Sequence, residues 1–217
     1  MEPVVIPAQT LWLGRKPYEE VLELQRLLVE ERRYGAAPDT LILCEHDEVI
    51  TLGRRLAARD NILVADPAVP VVEIERGGDA TYHGPGQLVA YPILQLREDE
   101  RDLHRYLRNL EQALIDALGE LGLAASRREG WTGAWVGDRK IASIGIAVRR
   151  WVTLHGLALN VATDLSRFAL LRPCGLDAAV MTSVSRELGR DVSVEEVNPL
   201  VQRHLGRIFG RDFGGAP

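Results

Sequence analysis

Two side chains in this sequence have types and settings that suit nucleophilic catalysis. Cys174 lies between a proline and a glycine in the run RPCGL, which predicts a loop that exposes its thiol. Such a thiol, with an ordinary pKa of about 8.5, becomes a nucleophile only where its surroundings favour the thiolate. Lys140 opens an apolar strand pattern, KIASIGIAV, and partial desolvation there would let it act as a base for the cysteine. The alternatives are an unreactive loop cysteine and a lysine that reaches solvent from a strand end.

A glycine-rich segment upstream of both residues could bind a ligand. It reads RGGDATYHGPGQ and runs from Arg76 to Gln87. Four glycines and a proline in twelve residues predict a loop whose backbone can approach a ligand closely. Hydrogen-bond donors around the loop come from Arg76, Thr81, Tyr82 and His83. An ordinary turn-rich connection between two strands is the alternative.

A third candidate feature is a groove on a β-hairpin over residues 140–161. Strand alternation puts small residues on one face of each strand and larger apolar residues on the other face. Two rows of small residues side by side would leave a groove for an apolar chain of about eight carbons, which gains roughly 5 kcal/mol at about 0.8 kcal/mol per methylene. A helix packed closely on the small face is the alternative. The small rows are Ser143, Gly145 and Ala147 on one strand and Gly156, Ala158 and Asn160 on the next, with Leu157, Leu159 and Val161 facing the core.

Helices and strands alternate in the elements that must position these residues. Apolar spacing predicts helices over residues 17–33 and 102–122, and Ser193 with Glu196 forms a capping-box pattern for a final helix that ends at about Phe209. Most neighbouring strands are joined by hairpins, so we predict an α/β chain of the α+β type, with a mixed, largely antiparallel sheet and packed helices. Neither a GxGxxG nor a GxxxxGK(S/T) phosphate loop occurs in the sequence. The predicted strands are Thr40–Cys44, Val49–Leu52, Val71–Ile74, Gln87–Leu96, Gly133–Val136, Lys140–Arg149 and Thr153–Val161.

Composition and charge limit the class of protein. The chain has 217 residues, 46% of them hydrophobic, and at roughly 150 residues per domain we expect a single domain over 1–217. A net charge of 26 − 31 = −5 does not favour nucleic acid as a partner. The sequence has no run of 18 apolar residues and no basic amino-terminal region, so we expect no membrane span and a cytoplasmic location. The two cysteines form no CxxC pair and the five histidines lack HxxxH spacing, which predicts no metal site.

Four sequence blocks, taken in order, resemble the lipoate-forming octanoyltransferases, the lipoyl(octanoyl) transferase family. The blocks are RGGDATYHGPGQLVAYPI, GDRKIASIGIAV, LHGLALNV, and LLRPCGL followed by MTSV. The resemblance covers roughly residues 10–210, nearly the whole chain. It implies the fold of the biotin- and lipoate-protein ligases. It also implies an octanoyl-[acyl-carrier-protein]:protein N-octanoyltransferase that needs no cofactor, because transfer from a thioester to an amide needs no ATP.

The resemblance further implies a mechanism and the residues that carry it. Cys174 would take the octanoyl group from octanoyl-acyl carrier protein as a thioester, and Lys140 would favour the thiolate and move the proton. A lysine of a lipoyl domain in a 2-oxoacid dehydrogenase E2 subunit, or of the glycine-cleavage H protein, would then receive the group as an amide. The family's acyl-binding positions fall on Arg76, Gly77, Gly78, Asp79, Ala80, Thr81, Tyr82, His83, Ser143, Ile144, Gly145, Gly156, Leu157 and Ala158.

Three other functions stay open on the sequence. An ATP-dependent lipoate or biotin ligase on the same fold would form an acyl-adenylate and would not need Cys174. An octanoyl amidotransferase would move the acyl group between two carrier proteins. A non-catalytic module would bind acyl groups or lipoyl domains without reacting. For acidic protein partners, docking surfaces would come from the doublets Arg54/Arg55, Arg127/Arg128 and Arg149/Arg150.

Overall fold

Eleven strands and four helices make up the regular structure of the computed structural model, which describes residues 5–56 and 58–214. The strands are β1 (Ile6–Lys16), β2 (Asp39–His46), β3 (Val49–Leu52), β4 (Val71–Glu73), β5 (Ala80–His83), β6 (Gln87–Ile93), β7 (Ala125–Arg128), β8 (Trp131–Val136), β9 (Arg139–Arg149), β10 (Val152–Asn160) and β11 (Arg211–Asp212). The helices are α1 (Tyr18–Arg33), α2 (Leu103–Glu120), α3 (Val184–Leu188) and α4 (Val194–Phe209).

Eight of these strands form the main sheet, in the order β11-β1-β2-β6-β10-β9-β8-β7. Pairing is parallel where β1 meets β11 and β2, and antiparallel everywhere else in this sheet. A separate sheet has the order β4-β3-β5. The prediction of a mixed, largely antiparallel sheet with packed helices is therefore confirmed.

Helices cover both faces of the main sheet. On one face, α2 and α4 pack on Leu157, Leu159 and Val161 of the β9–β10 hairpin, as the strand alternation predicts. On the other face, α1 packs on β10, where Val21 and Leu28 meet Leu154. Within the described residues no helix is long and apolar enough to cross a membrane.

The β9–β10 hairpin carries the face that matters for the site. Its register pairs Ser143 with Ala158 and Gly145 with Gly156, so the two rows of small residues lie directly opposite each other. The strands join through Arg150 and Trp151, both at positive φ. Two positive φ values in a row match the twist of a tight antiparallel turn, although arginine and tryptophan are not the usual residues there.

The sequence did not predict β1, β7, α3 or β11, and it misassigned part of the glycine-rich segment. Residues Ala80–His83 form β5, which pairs antiparallel with β3 and is fully buried. The prediction of a continuous loop from Arg76 to Gln87 is wrong over those four residues. The physical reason is non-local, since the partner strand lies about thirty residues earlier in the chain.

Candidate active site

A pocket opens on the small-residue face of the β9–β10 hairpin. It encloses about 420 Å³ of empty space, part of which is open to solvent. Helix α1 covers only part of this face. The sequence left a groove and a packed helix as alternatives here, and the structure contains both. The lining residues are Tyr18, Arg76, Thr81, His83, Val89, Tyr91, Ser143, Ile144, Gly145, His155, Gly156, Leu157 and Ala158.

Arg76 forms one wall of this pocket and depends on a glycine to do so. Its guanidinium is buried and donates from Nη2 to the Thr51 carbonyl at 2.9 Å and to Thr51 Oγ1 at 3.0 Å. A Cβ at Gly145 would lie 2.8 Å from Arg76 Cδ and 3.2 Å from the Gly77 carbonyl oxygen. The absence of a side chain at Gly145 therefore leaves room for Arg76 to cross β9.

His83 joins the pocket to the strand that carries Lys140 through a chain of buried hydrogen bonds. Its Nδ1 lies 2.7 Å from Gln87 Oε1, and Gln87 Nε2 donates to Asn160 Oδ1 at 2.9 Å. Asn160 Nδ2 then donates to the Thr182 carbonyl at 3.0 Å, and the Thr182 amide donates to the Lys140 carbonyl at 2.9 Å. The sequence did not indicate that Gln87 and Thr182 belong to this hydrogen-bond network, because the hydrogen bonds join segments that are far apart in sequence.

Lys140 lies at the start of β9 and is 2% exposed. Its Nζ is 5.7 Å from the centre of the Trp135 ring, within the range in which an aromatic face attracts an ammonium. A Cβ at Gly133 would lie 3.1 Å from Lys140 Cε and only 2.3 Å from the Ala142 carbonyl oxygen. Glycine at position 133 thus leaves space for the aliphatic stem of the lysine.

The segment carrying Cys174 is a short 3-10 turn, Pro173–Gly175, that packs beside β5. It is held by the Arg172 amide, which donates to the Asn61 carbonyl at 2.8 Å. The following chain returns to β9, where Met181 forms a bridge with Lys140. Backbone contacts therefore tie the residue before this turn to Asn61 and the chain after it to β9, while the Cys174 side chain lies outside the described part of the structure.

The other residues predicted for ligand binding divide between the pocket and its surroundings. Thr81 and His83 line the pocket, whereas Ala80 and Tyr82, on the opposite face of β5, pack in the core of the small sheet. The Asp79 carboxylate accepts hydrogen bonds from Asn61 Nδ2 and from the Ala80 amide, both at 2.7 Å. Gly77 and Gly78 are exposed at the rim. Ile144 and Leu157 line the pocket and also belong to the core on the α2 side.

Burial keeps three histidines near the pocket neutral. It lowers the pKa of His83 to about 3, with a further lowering from His46, and it lowers the pKa of His46 and of His155 to about 4. His46 accordingly acts as a neutral ring whose Nε2 lies 2.8 Å from the Tyr91 hydroxyl. The described residues contain no group of three or more His, Cys, Asp or Glu placed to hold a metal ion.

These lowered pKa values predict that acid weakens the fold. An unfolded histidine, with a pKa of about 6.5, binds a proton that the buried ring excludes, so the free energy of unfolding falls as pH drops below about 6.5 towards the folded pKa. For these three histidines together we expect a loss of about 4 kcal/mol between pH 7.5 and 5.5. Urea unfolding at three pH values measures it, and His83→Asn should remove about one third of the decline. A free energy of unfolding that stays constant or rises over this range would contradict the assignment.

Comparison with known proteins gives a consistent set of relatives. Residues 17–206 match the family described as the lipoyl protein ligase A/B catalytic domain. A protein named octanoyltransferase from Solibacter usitatus is 50% identical over 210 residues, covering 94% of this chain and 93% of the relative. Another of that name from Gloeobacter violaceus is 46% identical over 211 residues, covering 97% and 89%.

Solved structures of low sequence identity share the fold. A lipoate-protein ligase A bound with ATP superposes with a TM-score of 0.79 at 22% identity, covering 97% of this chain and 89% of the ligase. The biotin protein ligase of Aquifex aeolicus gives a TM-score of 0.55 at 14% identity, covering 93% and 69%. The prediction of a biotin/lipoate protein ligase-like fold is therefore confirmed.

Proposed function

Because the chain belongs to the lipoyl protein ligase A/B catalytic domain family and, within it, to the octanoyltransferases, we propose how it carries out acyl transfer. The chain is an acyltransferase. The donor is octanoyl-acyl carrier protein, and the acceptor is a lysine of a lipoyl domain in a 2-oxoacid dehydrogenase E2 subunit or of the glycine-cleavage H protein. Transfer passes through a thioester on Cys174, within one catalytic domain over residues 1–217, and is the first step of endogenous protein lipoylation.

The observation that carries this proposal is the small-residue pocket on β9, the strand that also carries Lys140. The lysine lines an adjoining cavity that shares Ile144 and Gly145 with this pocket. Ser143 lies three residues beyond Lys140, or about 10 Å at about 3.3 Å per residue. A carbonyl carbon held near Lys140 therefore directs its acyl chain over Ser143 and Gly145 into the pocket. Burying an eight-carbon chain there contributes roughly 5 kcal/mol to binding.

The proposed reaction has two balanced steps. The Cys174 thiolate attacks the thioester carbonyl, a new carbon–sulfur bond forms, the bond to the donor sulfur breaks, and the donor leaves as a thiol after taking a proton. The acceptor lysine, as a neutral amine, then attacks the Cys174 thioester. The amide bond forms, the Cys174 thiolate leaves, and the proton lost by the amine passes to the Cys174–Lys140 pair.

Lys140 is the proton carrier in this scheme. Taking the thiol proton generates the thiolate, and the resulting ammonium stabilises it at short range. The Trp135 ring face, 5.7 Å from Nζ, favours the ammonium form and offsets part of the cost of burying a charge.

The basic doublets differ in how they are placed for an acidic carrier protein. Arg54 and Arg55 adjoin the glycine-rich loop, since their amides donate to the carbonyls of Arg76 and Gly78 at 3.0 and 3.1 Å. By contrast, Arg127 binds the buried Glu111 carboxylate, and Arg149 pairs with Glu75. The Arg54/Arg55 doublet therefore offers the docking surface beside the site.

An ATP-free transfer assay tests the proposal. The enzyme is incubated with octanoyl-acyl carrier protein and a purified lipoyl domain, and the mass of the lipoyl domain is followed. We expect octanoylation without nucleotide, and its loss in Cys174→Ala. Modification of the lipoyl domain by Cys174→Ala only with free octanoate and ATP would instead support the ligase mechanism. Octanoylation of the lipoyl domain by a second protein already octanoylated on a lysine, and not by octanoyl-acyl carrier protein, would support the amidotransferase. No transfer from either donor would support a binding module.

A further inference from the structure

A second cavity adjoins the acyl pocket on the edge of β9. It encloses about 770 Å³ of empty space, part of which is open to solvent, and Lys140 lies in its wall. It shares Ile144 and Gly145 with the acyl pocket. We call this cavity the edge cleft; its other walls include Leu107, Thr132 and Ile146, with the Gly77–Gly78 backbone at the rim.

The edge cleft exists because β8 leaves β9 early. Pairing between the two strands extends only from Val136–Arg139 to Ala134–Ala142. At the departure point Gly133 has a φ of +131°, a backbone conformation that residues with a side chain rarely adopt. Its amide donates to Oε1 of Glu111 at 3.1 Å, and Glu111 is fully buried on α2. A buried carboxylate thus holds the strand open.

The peptide groups of Ile144 face into the gap left by β8. The Gly77 amide donates to the Ile146 carbonyl at 2.8 Å, which shows that Ile146 directs its carbonyl away from β10. In an antiparallel strand, residues two apart direct their N–H and C=O groups to the same side. Ile144 therefore presents a donor and an acceptor to the cleft, between the end of β8 and the Gly77 contact.

We propose that the edge cleft binds the phosphopantetheine arm of the acyl donor, an extended chain of methylenes and two secondary amides. The proposal rests on the proposed function, in which the acyl chain occupies the adjoining pocket and the thioester lies at Lys140. The arm then leaves the thioester along β9, where an amide of the arm bonds the Ile144 peptide groups as an added strand does at a sheet edge. The Leu107 and Ile146 side chains contact its methylenes.

The charge at the rim fits the far end of that arm. Arg55 lines the cleft, and its side chain is 65% exposed. Its Nη1 lies 3.4 Å from Oδ2 of Asp79, a buried carboxylate that also accepts hydrogen bonds from Asn61 and the Ala80 amide. The remaining N–H groups of the exposed guanidinium are available to a ligand at the rim. A phosphodiester carried by the arm would accept hydrogen bonds from this guanidinium.

The test compares two donors that share the octanoyl thioester but differ in the arm. Octanoyl-pantetheine carries both amides, whereas S-ethyl octanethioate has none. We expect the wild-type kcat/KM for acylation of the enzyme to be about tenfold higher with octanoyl-pantetheine than with S-ethyl octanethioate. One or two net hydrogen bonds would produce a difference of this size. Thr132→Trp, which fills the cleft from an exposed position of β8, should bring this ratio close to one. Leu107→Trp, which narrows the cleft from α2, should do the same.

Ser126→Trp is the matched control, because it adds the same side chain at an exposed position of β7 away from the cleft; it should keep the wild-type ratio. A wild-type ratio of one, or a ratio that neither Thr132→Trp nor Leu107→Trp changes, would overturn the proposal. Competition between ATP and octanoyl-pantetheine, together with activation of free octanoate, would also overturn the proposal, because the cleft would then bind a nucleotide. Failure of both thioesters to acylate the wild-type enzyme would refute the cysteine mechanism instead.

Discussion

Replacing Lys140 with methionine is expected to lower the single-turnover rate of octanoyl transfer by about 10²- to 10⁴-fold, the usual contribution of general acid–base catalysis. Methionine has a similar length and no proton to exchange, and the site is 98% covered, since Lys140 is 2% exposed. The variant should therefore fold while losing the group that generates the Cys174 thiolate. Rapid-quench measurement of acyl-enzyme formation at pH 7 gives the rate.

The chain provides a matched control in its only other lysine. Lys16 ends β1 in an exposed i,i+4 ion pair with Glu20 at 3.1 Å, so Lys16→Met should keep the wild-type rate. Lys140→Arg separates two roles of the lysine. Arginine keeps the positive charge but does not give up its proton, so recovery of the rate would assign Lys140 a purely electrostatic role. Wild-type rates in Lys140→Met would exclude Lys140 from the mechanism.

Changing Gly156 to alanine should destabilise the protein by about 3 kcal/mol, at the upper end of the cost of overpacking. The added Cβ would lie 2.1 Å from the Ala90 carbonyl oxygen and 2.9 Å from Pro92 Cδ. Both neighbours belong to β6, in the centre of the main sheet, and the backbone there cannot move without breaking strand pairs. In a chain of this length the loss should lower Tm by about 6–12 °C, which differential scanning calorimetry measures.

Gly145→Ala is the informative comparison, because the two glycines face each other across the hairpin. The Cβ at position 145 would meet Arg76 Cδ at 2.8 Å and the Gly77 carbonyl oxygen at 3.2 Å, so Arg76 must shift and weaken its hydrogen bonds to Thr51. We expect a stability loss of about 1–2 kcal/mol, smaller than that of Gly156→Ala, and a lower kcat/KM for octanoyl donors, as Arg76 no longer forms the pocket wall. Equal Tm values for the two variants would contradict the assignment of Gly156 mainly to stability and of Gly145 mainly to substrate binding.

The groove could be predicted because its causes are local. Alternation along β9 and β10 and a short turn between them fix which residues oppose one another, and the observed register of Ser143 with Ala158 follows from them. The long apolar patterns of α1, α2 and α4 likewise give their positions to within a few residues.

The remaining features depend on contacts between distant segments. Strand β5 looked like loop because its glycine neighbours dominate the pattern, and only pairing with β3 makes it extended. That pairing also directs the side chains of Ala80 and Tyr82 away from the pocket. The sequence does not reveal this, because it does not show that residues 80–83 form a strand. The edge cleft needs Glu111 on α2 to meet Gly133 on β8, 22 residues later, and no local pattern predicts that contact.

Intact-protein mass spectrometry after mixing the enzyme with octanoyl-acyl carrier protein, in the absence of ATP and acceptor, tests the cysteine mechanism most directly. The cysteine mechanism predicts a gain of one octanoyl group that hydroxylamine removes and that peptide mapping assigns to Cys174. It predicts that Cys174→Ser either gains nothing or keeps the group as an ester that resists hydroxylamine. No octanoyl adduct on the wild-type protein, or an adduct on a residue other than Cys174, would contradict it.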